Sequence, residues 1–180
     1  MKQLMGNRMN KRVKALIAVL ITLSLPAVLA SDDSIEPADF LSRVFAGDLP
    51  SSDTVWISGE KKQVAESILG HKPDYLRLRY WGDESRSAWV MDEIGKTEPI
   101  TVGVVVSENQ IEEIKVLAFR ESRGWEIKYD FFTRQFNGAS IEERQRLDRH
   151  IDGISGATLS VKAMINVSRL VLYLAESVFT

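Results

Sequence analysis

Residues 100–119 read Ile100-Thr101-Val102-Gly103-Val104-Val105-Val106, then Ser107-Glu108-Asn109-Gln110, then Ile111-Glu112-Glu113-Ile114-Lys115-Val116-Leu117-Ala118-Phe119. Two runs rich in β-branched residues flank a short polar segment, which predicts a hairpin with strands at Ile100–Val106 and Ile111–Phe119. Working outward, Tyr75–Trp81 alternates Leu76, Leu78 and Tyr80 with Arg77, Arg79 and Trp81, the period of a strand. Ser87–Glu93 follows the turn Gly82-Asp83-Glu84 as its partner, and Thr54–Ser58 is a further short strand. Ile127–Phe132 is expected to add another strand. Glu60–Leu69 fits a helix stopped by Gly70, and Ile141–Leu147 a short charged helix. Residues 31–53 are a polar lead-in around one amphipathic turn of Phe40, Leu41, Val44 and Phe45. Strands and helices do not alternate as βαβ units, so the expected class is α+β, an antiparallel sheet with flanking helices.

The best-defined element is the last helix, Thr158–Glu176. Its polar residues Lys162, Asn166, Arg169, Tyr173 and Glu176 fall at spacings of a single narrow stripe, expected to be solvated, and nearly everything else is apolar. Such a helix is expected to lie deep against the sheet. Its charges argue against a membrane span.

The chain has 180 residues, no cysteine and two histidines, His71 and His150. That excludes disulfides, thiolate catalysis and cysteine-held iron–sulfur or metal centres, and leaves little for a histidine metal site. With 23 basic against 25 acidic side chains, it lacks the strong basicity of a nucleic-acid binder. The charge is unevenly spread. Lys2, Arg8, Lys11, Arg12 and Lys14 precede an uncharged run from Ala15 to Ala30 that ends in Val28-Leu29-Ala30. This is the pattern of a secretory signal peptide, residues 1–30, cleaved after Ala30; the alternative is an uncleaved membrane anchor. Removal of residues 1–30 leaves 18 basic and 25 acidic side chains, a formal −7. The expected location is periplasmic or otherwise extracytoplasmic.

Before the last helix stands Asp152-Gly153-Ile154-Ser155-Gly156-Ala157-Thr158-Leu159-Ser160. Gly153 and Gly156 permit backbone angles that other residues resist. Ser155 or Thr158 can cap the helix, and Gly156 and Ala157 leave room for close approach. From the residues alone this is either an anion site at a helix start or a plainly capped helix.

Asp152, Ser155, Gly156, Ala157 and Thr158 match the flavinylation motif Asp-x-x-Ser/Thr-Gly-Ala-Thr/Ser at every fixed position. Average residue usage gives such a match in about one chain in a thousand. The segment resembles the FMN-binding domain family, which includes the covalent-FMN subunits of sodium-pumping NADH:quinone oxidoreductase and of the Rnf complex. The resemblance runs over roughly residues 95–178 and takes in Glu121-Ser122-Arg123-Gly124 and Gln135-Phe136 with Gly138. It implies FMN as cofactor, esterified through its phosphate to Thr158 by a flavin transferase that uses FAD and Mg²⁺. It also implies that Glu121, Ser122 and Gly124 lie near the flavin. Departures exist: Val161 stands where the family often has a further hydroxyl, Ser122 replaces threonine and Arg123 a frequent proline.

On this reading residues 31–94 form an N-terminal extension packed with the domain at 95–180. Asp152 is either a recognition group for the transferase or a turn aspartate. Trp125 either covers the flavin ring or packs in the core, while Arg120 and Arg123 either face the flavin or lie on the surface. The expected activity is electron transfer between a membrane or periplasmic donor and an extracytoplasmic acceptor. The protein is then a carrier or reductase module with no nicotinamide fingerprint of its own. The alternatives are a non-redox FMN-binding sensor or accessory subunit of a membrane complex, and a structural module without cofactor.

Overall fold

The computed structural model describes residues 34–82 and 85–178. The leader and, in the Gly82-Asp83-Glu84 turn, Asp83 and Glu84 lie outside the described residues. In chain order the elements are α1 (Pro37–Val44), β1 (Ser52–Trp56), α2 (Gly59–Leu69), β2 (Arg77–Gly82), β3 (Arg86–Ile94), β4 (Pro99–Ser107) and β5 (Gln110–Phe119). A 3₁₀ turn (Trp125–Lys128), the short helix α3 (Asp130–Thr133), a second 3₁₀ turn (Arg134–Phe136), the small hairpin β6 (Ile141–Glu142) and β7 (Arg146–Leu147), and α4 (Thr158–Glu176) complete the order.

The five long strands form an antiparallel meander in sequence order. The hairpin expected over residues 100–119 is β4–β5, with Ile100 opposite Phe119 and Ser107 opposite Gln110. Its polar connection closes on Glu108 and Asn109, both in the left-handed region at φ 51° and 60°. Every residue of β4 from Ile100 to Val106 is buried. The strand is covered on both faces, which is why its sequence is an unbroken apolar run and lacks alternation.

One face of the sheet carries α2 and α4. Val55, Leu78, Trp89, Met91, Val102 and Val104 join Met164, Val167, Leu170 and Val171 of α4 in the main core. The other face carries α1, whose Phe40, Leu41 and Val44 pack on Ala88, Val105 and Leu117. Gly103 is required here: a Cβ on it would stand 2.7 Å from two ring carbons of Phe40. The lead-in thus holds a short helix that closes the second face, fixed by Ile35 N–H donating to Leu117 O at 2.7 Å.

Helix α4 is long and apolar enough to cross a membrane by length and composition, but 67% of its most apolar stretch is buried inside the protein. The stripe expected to be solvated is only partly so. Asn166 is 4% exposed and its Nδ2 donates to Leu69 O at 3.2 Å, satisfying a carbonyl at the C-terminal end of α2. Lys162 and Glu176 are exposed. Tyr173 is half-buried, and Arg169 is half-buried beneath the small hairpin.

Two expected elements are corrected. Ile127–Phe132 is not a strand; it spans the first 3₁₀ turn and α3, and Phe132 stacks edge-on with Phe136 at 5.5 Å within the core. Ile141–Leu147 is not a helix but the β6–β7 hairpin. In the first, turns tied to buried Ile127, Phe132 and Phe136 outweigh the local pattern; in the second, the Glu142–Arg146 pairing across a tight turn does so, because short segments carry little propensity of their own.

Candidate functional site

Helix α4 begins at Thr158 with Ala157 at its N-cap, at φ −116° and ψ 22°, and no side chain caps it. Alanine is among the poorest residues for that position. Neither Ser155 nor Thr158 supplies the expected cap. The first turn also contains no acidic residue. The N–H groups that open any helix lack intrahelical partners, so this end presents donors and the positive end of the helix dipole without a resident acceptor side chain.

These donors face a cleft of about 330 Å³. Gly156 through Ser160 form one side, and Lys96 with Glu121, Ser122 and Arg123 the other. That volume is at the small end of ligand sites, roughly 300–1,000 Å³. Thr158 is exposed, so its hydroxyl is open to an incoming group. Gly156 stands at φ +82°, and a Cβ on it would meet nothing within 4 Å, so it shapes the turn and leaves the space in front open. Gly153, the other glycine of the motif, is not in the left-handed region.

The opposite wall is set by Glu121. Its Oε1 accepts the backbone N–H groups of Lys96 at 2.5 Å, Thr97 at 2.6 Å and Glu98 at 3.0 Å, and Oε2 accepts the Thr97 hydroxyl at 3.1 Å. These donors, led by the backbone of Glu98 and Thr97, hold its carboxyl down at about 2. Glu121 therefore ties the β3–β4 turn to the end of β5 and keeps Lys96 at the cleft. Arg120 turns away, its Nη1 donating to Pro99 O and to Thr101 Oγ1. Arg123 lines the cleft.

The two motif segments meet at Gly124. A Cβ there would lie 2.9 Å from Ala157 Cβ and 3.2 Å from Ser160 Oγ, and its φ is +88°. Trp125, next in sequence, is 49% exposed and stands edge-on to Tyr129 at 5.2 Å; it belongs neither to the core nor to the cleft lining. Asp152 and Ser155 are exposed and lie outside the cleft lining. The Asp152 backbone N–H donates to Gln135 Oε1 at 2.7 Å, which ties the motif to the Gln135-Phe136 segment. The Asp152 carboxylate stands 3.7 Å from His150 Nε2.

Of the cleft residues, Lys96 is one the sequence reading did not point to, while Leu159 and Ser160 belong to the quoted stretch but carried no assigned role. For Lys96 a signal existed. If Ile100 faces Phe119, continuing the hairpin register brings the 96–98 turn against Glu121. The arrangement as a whole offers uncapped amides and two cations, Lys96 and Arg123, which suits a phosphate-bearing ligand.

Residues 95–172 match the family model described as FMN-binding domain. No curated protein and no solved structure matches the chain.

Proposed function

Residues 95–172 belong to the FMN-binding domain family with FMN as the cofactor, and from that premise we propose that the chain is an extracytoplasmic electron-transfer flavoprotein, with FMN ester-linked through its phosphate to the Thr158 hydroxyl. The observation that carries this reading is the start of α4. A helix end with alanine at the N-cap and no acid in its first turn faces a cleft beside an exposed threonine hydroxyl. A phosphate diester there takes the place of the missing cap, and charge at a helix N-terminus is favoured by about 0.3–1 kcal/mol. Lys96 and Arg123 add opposite charge from across the cleft.

The residues fit the group. Gly156 and Ala157 leave the backbone approachable, Glu121 positions the 96–98 turn, and Gly124 lets the opposite loop close on Ala157. When bound, FMN supplies one- and two-electron redox chemistry; the protein supplies orientation and local charge. The exposed Asp152 is a recognition point for a flavin transferase, which moves the FMN moiety of FAD onto the Thr158 oxygen. The new phosphoester bond forms as the FAD pyrophosphate bond breaks, AMP leaves, and the hydroxyl gives up its proton. The electrons come from and go to a membrane or periplasmic partner. The leader pattern of residues 1–30 supports the extracytoplasmic location.

Intact mass of protein exported from cells that hold an active flavin transferase is the test. An increment of one FMN less water, absent in Thr158→Ala, is expected. Unmodified wild-type protein from those cells overturns covalent attachment. Bound flavin that is never oxidised or reduced by any membrane fraction favours a sensor or accessory subunit over a carrier.

A further inference from the structure

A second cavity, about 280 Å³, lies between the β6–β7 hairpin and the middle of α4. Arg146, Arg149, Arg169 and His150 line it, over an apolar wall of Ile151 and Ile165. It shares no lining residue with the cleft at Thr158. Arg169 lies eleven positions further along α4, about 16 Å at the helical rise of 1.5 Å per residue. In a chain of formal charge −2, four basic groups around one small cavity are a local departure from the general character.

The hairpin loop creates the cluster. Arg144 and Gln145 both stand in the left-handed region, at φ 62° and 54°, a conformation that non-glycine residues adopt at a cost. This turns the Gln145 carbonyl toward α4, where it accepts Arg169 Nε. Arg169 is thereby fixed in a half-buried position, and burial together with the neighbouring Arg146 cation lowers its pKa from the usual guanidinium value. Arg149 is already neutralised: Asp148 pairs with it at 2.9 Å, and its Nη atoms donate to the carbonyls of Asn137 and Gly138. Arg146 and Arg169 have no carboxylate within 4 Å among the described residues. Glu142 stands opposite Arg146 in the hairpin register and still forms no ion pair with it. Two like charges therefore line one cavity, Arg169 half-buried and Arg146 exposed, with no carboxylate paired to either among the described residues.

We propose that this cavity is an anion site for a phosphate- or sulfate-class oxyanion, free or as the headgroup of an anionic lipid, bound between Arg146 and Arg169. Guanidinium groups present several N–H donors in a planar fork. Two such forks from different elements converge on an anion that accepts hydrogen bonds from several directions, as a tetrahedral oxyanion does and a two-oxygen carboxylate does less well. Ile151 and Ile165 contact whatever carbon skeleton the phosphate carries.

The test uses the FMN-loaded full chain, so that the helix start at Thr158 is already filled. Inorganic phosphate and sulfate are titrated at constant ionic strength against chloride, by calorimetry and by thermal midpoint. Saturable binding is expected in wild type, at least tenfold weaker in Arg146→Gln and in Arg169→Lys. Arg146 is exposed and its replacement leaves the core intact, so the test stands even if the Arg169 variant folds poorly. Vesicles of phosphatidylglycerol and of phosphatidylcholine separate the sources: co-sedimentation with the former alone, lost in Arg146→Gln, identifies a lipid headgroup, and phosphate binding without sedimentation identifies a free anion. No saturable binding to either, or binding unchanged in Arg146→Gln, overturns the proposal.

Discussion

Gly124 approaches Ala157 so closely that a Cβ on the glycine would lie 2.9 Å from the alanine Cβ. The loop after β5 and the turn before α4 are thus locked by two small residues 33 positions apart, and the cleft is the space left beside that contact. Gly124→Ala introduces both a left-handed alanine and this overlap. It is expected to cost about 2–4 kcal/mol, the left-handed penalty plus overpacking. Urea denaturation measures the loss, and weaker retention of FMN by Thr158→Ala protein carrying the change shows that the cleft has opened.

Glu121 acts on stability through its three backbone donors. Its folded carboxyl sits at about 2, below the unfolded value of about 4.3. The stabilisation is therefore present above about pH 4.3 and is lost as pH falls through about 2. Glu121→Gln should lower the urea midpoint at pH 7 and remove part of the decline that wild type shows between pH 4 and pH 2. Equal midpoints for the two proteins at pH 7 would contradict the bracing role.

His71 and Glu93 shift in the same direction with a common consequence. His71 Nε2 lies 2.9 Å from Glu93 Oε1. Hydrogen bonding to Glu93 raises the imidazole, while burial raises the carboxyl against the opposing pull of His71. The folded state thus holds protons more tightly at both groups. The His71 contribution is complete below about pH 6.5 and is lost as pH rises through the raised value; the Glu93 carboxylate opposes folding as pH rises above about 4.3. Stability should fall from pH 5 to pH 8, less steeply in Glu93→Gln. Denaturation midpoints across that range, with the His71 ring titrated by NMR, provide the measurement.

Asn166→Ala is expected to destabilise by about 1–3 kcal/mol, because the Leu69 carbonyl at the end of α2 loses its donor in a buried place. Thermal unfolding reads the loss. FMN binding should remain, since Asn166 lies outside the cleft lining.

The β4–β5 hairpin and the bounds of α4 were legible because they rest on repeated patterns: apolar runs around a polar turn, and a helix with one polar stripe. The short elements were not. Ile127–Phe132 looks like a strand by composition, yet Phe132 and Phe136 must reach the core from one short turn-rich segment. Ile141–Leu147 looks helical by charge, yet Arg169 holds the Gln145 carbonyl and stabilises a hairpin. Asn166 shares a stripe with exposed Lys162 and is nonetheless buried, because the end of α2 covers that part of α4.

The same division holds for the site. Sequence alone determined the hairpin, the long helix and the Asp152–Thr158 motif, all features written in neighbouring residues or in a regular period. Only the tertiary structure decided that Ala157 leaves the helix uncapped, that Trp125 stands outside the cleft, and that Arg146 and Arg169 line one cavity with no carboxylate paired to either among the described residues. These depend on which distant segments come together, and outside a hairpin register a local pattern carries no information about a partner 20 or more positions away. Packing supplies that information, since a polar group taken out of water must find its partner wherever the fold places one.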